Sequence, residues 1–201
     1  MEHIANHIDL IGSLASAPQF SHDNHGRRFF SFFLEVERLS GTIDRLPVLA
    51  SEQLLRTTAV QEGDALHISG QIRSFNSRTP GRHRLIISVL AEELHVCADP
   101  HDNLAVLTGV ICKGPVYRRT PLGREICDIM LAVNRPYRRA DYIPCILWGR
   151  TAQEAAALPV GAALSLTGRL QSRDYLKLLG GESEQRTAYE VSAITAEAVN
   201  E

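Results

Sequence analysis

The sequence repeats itself at a distance of 97 residues, and that spacing limits the fold more than any other feature. Asn6 matches Asn103, Leu10 matches Leu107, Gly12 matches Gly109 and Pro18 matches Pro115. The register runs on through Gly26 and Gly123, Val36 and Val133, Arg38 and Arg135, Asp44 and Asp141, and Pro47 and Pro144. One residue of slip matches Gly63 to Gly161, Gly70 to Gly168 and Ser74 to Ser172, and seven more match Ala91-Glu92 to Ala196-Glu197. A period of about 100 residues is too long for a solenoid and suits two domains in tandem. The expected division is residues 1–98 and 99–201, at the proline-bearing link Ala98-Asp99-Pro100-His101-Asp102, short enough to hold the copies close together.

Within the second copy Cys127, Ile129, Leu131 and Val133 alternate with different neighbours, the period of a strand with one inward face. Phe30, Phe32, Leu34 and Val36 occupy the same places in the first copy. Further strands are predicted at about 104–112, 142–148, 162–172 and 187–196. Between the third and fourth lies TAQEAAALPVG, whose Ala, Gln and Glu favour a helix that Pro-x-Gly ends. The order β-β-β-α-β-β, twice over, predicts an all-β chain with short helices: two tandem OB-folds, the small five-stranded Greek-key barrels that bind oligonucleotides or oligosaccharides on a strand face and its loops.

Function has to come from the outer faces. Parity along the third strand of the second copy turns Ile143, Cys145 and Leu147 inward and Tyr142, Pro144, Ile146 and Trp148 outward. In the fourth strand Leu164, Leu166 and Leu170 share the inward phase, while Arg169, Gln171, Arg173 and Tyr175 oppose it. The formal net charge is only −2, but from Lys113 to Lys177 eleven Lys or Arg face five Asp or Glu, and that clustering sets the field a polyanion meets. Arg135, Arg138 and Arg139 stand where an apolar strand runs out into a loop, and Arg118, Arg119 and Arg150 lie in the same basic segment. Rings offer a π-face to any base and arginines track phosphates, so the combination suits sequence-tolerant binding of single strands. The plainer readings are rings covered by a helix or partner subunit and arginines on a solvated face; the coincidence of both in phase favours nucleic acid.

The second copy closely resembles the bacterial single-stranded DNA-binding (SSB) family over about residues 103–199. The likeness is carried by NLAVLTG from Asn103, Pro115, RRTPLG from Arg118, LAVNR from Leu131, DYIPCILW from Asp141, GRLQSRDY from Gly168 and YEV from Tyr189. It implies that Tyr142, Trp148 and Tyr175 are the stacking aromatics, the residues that parity turns outward. It further implies an assembly of four OB-folds, which a two-fold chain reaches as a homodimer, and a role in replication, recombination or repair. The family's long tail with an acidic tip recruits other replication and repair proteins; this sequence stops at AEAVNE just after its last predicted strand, so recruitment by a tail is not expected. The nearest alternative is a primosome component resembling primosomal replication protein N; another is an OB-fold protein-interaction module.

The first copy departs from the pattern, with Arg45, Ser51 and Ser77 where the second has Tyr142, Trp148 and Tyr175. Phe75 would replace one ring, and Arg73, Arg78, Arg82 and Arg84 would reach phosphate, so weaker contacts are expected there. In FFSFF, Phe30 and Phe32 are core by phase, and Phe29 and Phe33, matching Ile126 and Met130, are expected to be buried against a neighbouring domain. Residues 103–199 should accordingly bind single strands better than residues 1–98.

Enzymatic chemistry is not expected: the chain has no G-x-x-x-x-G-K-[ST], no H-E-x-x-H and no paired cysteines, so neither cofactor nor metal is anticipated. Cys97, Cys112, Cys127 and Cys145 are widely spaced and read as small buried hydrophobes, and His22, Asp23 and His25 as solvated residues of a turn. No apolar run approaches the roughly 18 residues of a membrane span, and a cytosolic protein is expected.

Overall fold

Residues 5–77, 84–179 and 182–199 are described by the structure, a computed structural model. Strict alternation of buried and partly exposed residues opens the chain: in β1 (Asn6–Leu14) Ile8, Leu10 and Leu14 point inward while His7, Asp9, Ile11 and Ser13 point out. The first barrel continues through β2 (Gln19–Asn24), β3 (Arg27–Glu37), β4 (Ile43–Ser51), the helix α1 (Glu52–Thr58), β5 (Ala65–Asn76) and β6 (Leu85–Val96). The second consists of β7 (Asp102–Arg119), β8 (Glu125–Arg135), β9 (Arg139–Trp148), α2 (Gly149–Ala156), β10 (Ala163–Leu179) and β11 (Glu182–Ala198). β1 and β2 together do the work of β7, which stays continuous by absorbing register shifts between Ile111 and Val116.

Each barrel closes with the same short parallel pairing, Val48 with Val89 between β4 and β6, and Cys145 with Val191 between β9 and β11. The architecture is therefore all-β with short helices, arranged as two tandem OB-folds. Leu10, Leu34, Leu46, Ile68 and Val89 fill one core, and Leu107, Leu131, Ile143, Leu166 and Val191 fill the other. Both barrels bend at a glycine, on β5 in the first and on β10 in the second. A Cβ on Gly70 would run into the Leu90 carbonyl, and one on Gly168 into the Ser192 carbonyl, so only glycine admits the close approach at these bulges.

The bulges also correct the alignment of the repeat. Gly70 pairs with Ala91 and Gly168 with Ala193, so the structural partner of Ala91 is Ala193, not Ala196. Two-residue matches are cheap in alanine- and glutamate-rich strands; ladder register is set by the buried face. Among the cysteines, Cys127 and Cys145 are buried as expected, whereas Cys97 is half-buried and Cys112 is exposed in the irregular part of β7.

The barrels share one sheet. β1 pairs antiparallel with β7, Asn6 with Leu107, Ile8 with Ala105 and Leu10 with Asn103. Ile8 and Ala105 are repeat equivalents, so an approximate two-fold axis passes through that pair. Buried polar residues follow the same symmetry. The Asn6 side chain bonds Ile72 N–H and C=O at 2.9 and 2.7 Å, and Asn103 bonds Leu170 N–H and C=O at the same distances.

Across the axis, the Asp44 carboxylate accepts from Ser172 N–H (2.7 Å), and Asp141 accepts from Ser74 N–H (2.8 Å). Each aspartate is charge-paired: Arg38 holds Asp44 through two bonds of 2.6 and 2.7 Å, while Arg73 (3.0 Å) and Arg135 (3.2 Å) both approach Asp141. A buried carboxylate without such partners would cost several kcal/mol, which is why the arginines turn to it. Among the described residues no helix is long and apolar enough to cross a membrane.

Candidate nucleic-acid interface

On β9 the core side holds Ile143, Cys145 and Leu147, and the outer side presents Tyr142, 46% exposed, and Trp148, 38% exposed. Ile146 departs from the expected exposure: although in phase with the rings it is buried, at the floor of a cleft of about 310 Å³ that Trp148 also lines. Arg118, Gln171, Arg173 and Glu190 form the sides, and the first barrel contributes Arg38. The indole N–H of Trp148 donates to Ser192 Oγ at 2.9 Å, which sets the ring's orientation. Tyr142 is placed from the other barrel, its backbone N–H donating to Ser74 Oγ at 2.7 Å. Tyr175 is half-buried on β10 with the Arg173 guanidinium 5.8 Å from its ring centroid.

The arginines fall into three groups. Arg138, Arg139 and Arg169 are exposed, and among the described residues no carboxylate lies within ion-pairing distance of them. Arg118 pairs with Asp128 (2.7 Å), Arg119 with Glu125 (2.9 Å), Arg150 with Glu154 (2.8 Å) and Arg173 with Glu190 (3.5 Å), all solvent-accessible contacts. Hydrogen bonds from Tyr117, Gln153 and Arg119 hold Glu125 below its ordinary carboxylate pKa, and the bond to Glu125 in turn pushes the Tyr117 phenol up. Exposed pairs of this kind are worth about 0–1 kcal/mol, so exchanging a carboxylate for a phosphate is cheap. Arg73 and Arg135 form the third group. Both turn onto fully buried Asp141, and releasing them would strand a buried charge at a cost of about 3–5 kcal/mol. The structure thus places these two candidates in the joint between barrels.

Two further exposed rings lie outside the regular strand phase. Tyr137, 93% exposed, stands at the β8–β9 turn, where it and Arg138 both have left-handed backbones. Tyr117 is exposed on β7 beside Arg118 and Arg119. Each was signalled by a tyrosine set directly against two arginines, in PYRR and VYRR; neither lies on a regular two-residue phase, because one is in a turn and the other follows a bulge.

In the first barrel Phe75 is exposed at the end of β5, as parity predicts, opposite exposed Ile86. Arg84 donates to the Thr187 carbonyl of the second barrel at 3.2 Å, and Arg78 and Arg82 lie outside the described residues. Ser51 accepts the Leu54 N–H as the cap of α1. Phe29 and Phe33 are not buried under a neighbouring domain. Phe29 stacks on His22, centroids 5.2 Å apart at 10°, and Phe33 lies under the Arg45 guanidinium, 4.7 Å from its centroid. His22 sits on β2 rather than in the turn, which begins at His25. Phe30 is only half-buried, edge-on to exposed Phe20 at 5.9 Å.

The pattern of the Single-strand binding protein family matches residues 102–199, the length of the second barrel. The chain is 36% identical over 104 residues to single-stranded DNA-binding protein A of Bacillus subtilis, 48% of this chain and 57% of that protein. It is 39% identical over 80 residues to single-stranded DNA-binding protein 2 of Listeria innocua, 36% of this chain and 50% of that one. The chain thus spans about half the length of these relatives. With single-stranded DNA-binding protein B of Bacillus subtilis it shares 32% identity over 104 residues, covering 87% of that protein. In fold, the single-stranded DNA binding protein from Thermus aquaticus superposes over both barrels with a TM-score of 0.79 at 21% identity, covering 98% of this chain and 93% of that one. On the sequence relationship that runs through its second barrel, this chain belongs to the single-strand binding protein family.

Proposed function

We propose that the chain binds single-stranded DNA without sequence preference, and that the outer face of the second barrel supplies most of the affinity. The observation that carries this reading is the solvent-facing Trp148, oriented by Ser192, at the edge of a cleft flanked by Arg118 and Arg173. An indole already fixed in place loses little freedom when a base stacks on it. Base–aromatic stacking, for which proteins of this kind are a standard example, contributes about 1–3 kcal/mol per base. Tyr142 extends the row of rings, and Tyr175 with Arg173 continues it along β10. The phosphates run over Arg118, Arg138, Arg139 and Arg169, with Arg119 and Arg150 at the margins.

Support for a backbone-tracking mode comes from the mixture of accessible ion pairs and unpaired arginines, which a polyanion can engage at small cost. The two barrels act as one unit, residues 1–98 and 99–201 remaining the natural division, and two chains supply a set of four barrels. Membership of the family supports service in replication, recombination or repair. Trp148 is the single tryptophan, so titration with oligo-dT reads this site alone. Emission is expected to be quenched, with an affinity that falls as salt rises. Emission unchanged across a micromolar titration at low salt would sink the reading, and the mass of the assembly measured alongside tests the two-chain unit.

A further inference from the structure

The first barrel lacks the rings of the second at matching positions, yet its outer face carries aromatics one strand over. In the second barrel Ile126 of β8 pairs with Trp148 of β9; in the first, the equivalent pair is Phe29 of β3 with Ser51 of β4. The ring has changed sides of one cross-strand pair. Likewise, Ala132 pairs with Tyr142, and its counterpart is Glu35 with Arg45. Here the missing tyrosine is replaced by a guanidinium resting 4.7 Å from the centroid of Phe33, a residue standing where the second barrel has Met130. Side chains directly opposite on a ladder lie about 5 Å apart, so moving a ring across a pair keeps it over nearly the same patch of surface.

We propose that Phe29 with His22, and Phe33 with Arg45, form a second stacking platform for single-stranded DNA on the first barrel. The proposal rests on the reading of the second barrel given above. Both units present a flat outer group, imidazole on Phe29 and guanidinium on Phe33, and both outer groups are exposed. Nucleic-acid bases stack on Arg planes as well as on rings, and a stacked cation adds attraction for the neighbouring phosphate. Arg38 links the two sites: it belongs to the first barrel, is fixed by Asp44, and lines the Trp148 cleft of the second. A strand leaving that cleft therefore meets the Arg45 side of the first barrel. Ser172 marks the same path, its hydroxyl accepting from Arg45 N–H at 3.3 Å. Glu35, directly across the ladder from Arg45, is the opposing charge on this row.

The test places a reporter on the new site in the full chain. F33W in a W148F background moves the sole tryptophan to the first barrel, and oligo-dT is titrated at two lengths: about 10 nucleotides, within the reach of one OB-fold, and about 35, long enough for two. The longer oligomer should quench this emission. In the otherwise native chain, F33L and R45Q should each weaken binding of the longer oligomer about five- to tenfold while leaving the shorter unchanged, and E35Q should tighten the longer. Thermal melts of F33L and R45Q matching the native chain exclude loss of fold, and R45Q, on an exposed side chain, gives a reading even if F33L melts early. Quenching of native Trp148 with no response from F33W, and no length-dependent loss in R45Q, overturns the first-barrel platform while leaving the second intact. No response at Trp148 either overturns both.

Discussion

Asp44 and Asp141 occupy equivalent sites in the two barrels, and each reaches across to a serine N–H of the other, but their counter-charges differ. Asp141 receives Arg135 from its own barrel and Arg73 from the first; among the described residues Asp44 receives Arg38 alone, the equivalent of Arg73 being Gln171. Outside the joint the difference widens. The second barrel exposes Tyr142 and Trp148 on β9, whereas the first presents Arg45 and Ser51 there and carries its rings on β3. The cores and the aspartate–serine exchange of the joint recur in both barrels while the outer faces differ, since a buried residue is constrained on every side and a surface residue on few.

The largest effect should come from the joint. D141N leaves Arg73 and Arg135 facing each other without a carboxylate, and is expected to lower unfolding free energy by about 3–5 kcal/mol. D44N strands one less buried arginine and should cost less. Urea denaturation of both variants decides this, and equal losses would show that the second arginine adds nothing. Because the barrels share β1–β7 and these exchanged bonds, severed halves would lose part of their structure, and the relative strength of the two faces is better measured by substitution in the intact chain.

Next in size is the contrast between faces. W148A is expected to weaken oligo-dT binding about 10- to 100-fold, in line with stacking worth about 1–3 kcal/mol, and to cost more than any single ring substitution on the first barrel. Fluorescence anisotropy of labelled oligo-dT supplies the affinities. A W148A loss no greater than that of F33L would reverse the ranking.

The smallest effect concerns pH. On the outer face of β1 and β5, Asp9 meets His7 at 2.7 Å and His67 at 3.3 Å, and His67 meets His95 at 3.1 Å; the second barrel has Leu104, Val106 and Ser165 at the places of His7, Asp9 and His67. Burial pushes Asp9 up, but hydrogen bonding and charge from His7, with bonds from Ser69 and His67, outweigh it and leave its pKa lowered. A carboxylate depressed in the folded state stabilises fully above its unfolded pKa of about 4 and loses that contribution as pH falls through the folded value. The Tm difference between the native chain and D9N should therefore be small at neutral pH and shrink on acidification below about pH 4. A difference that grows on acidification would contradict the assignment.

Much of this was readable from residues alone. The repeat, the five-strand order, the inward phase of Ile143, Cys145 and Leu147, and the outward phase of Tyr142 and Trp148 all follow from periodicity. Tyr137 and Tyr117 were missed because turns and bulges break the two-residue phase, and Ala91 was matched to Ala196 because short word matches ignore ladder register. Arg135 and Arg73 looked like their exposed neighbours; nothing local to NRPYRR or QIRSF discloses a buried carboxylate within reach.

What the sequence determined by itself was the local and the periodic: two copies of one unit, which side of each strand is apolar, and where charge accumulates. The tertiary structure alone decided which charges are spent and which remain available. An arginine's role depends on whether a carboxylate from a distant segment lies buried beside it, and the fold brings Arg73 to Asp141, 68 positions away. The cost of an unpaired buried charge far exceeds that of an exposed one, so that juxtaposition, invisible in sequence spacing, separates the scaffold from the binding face.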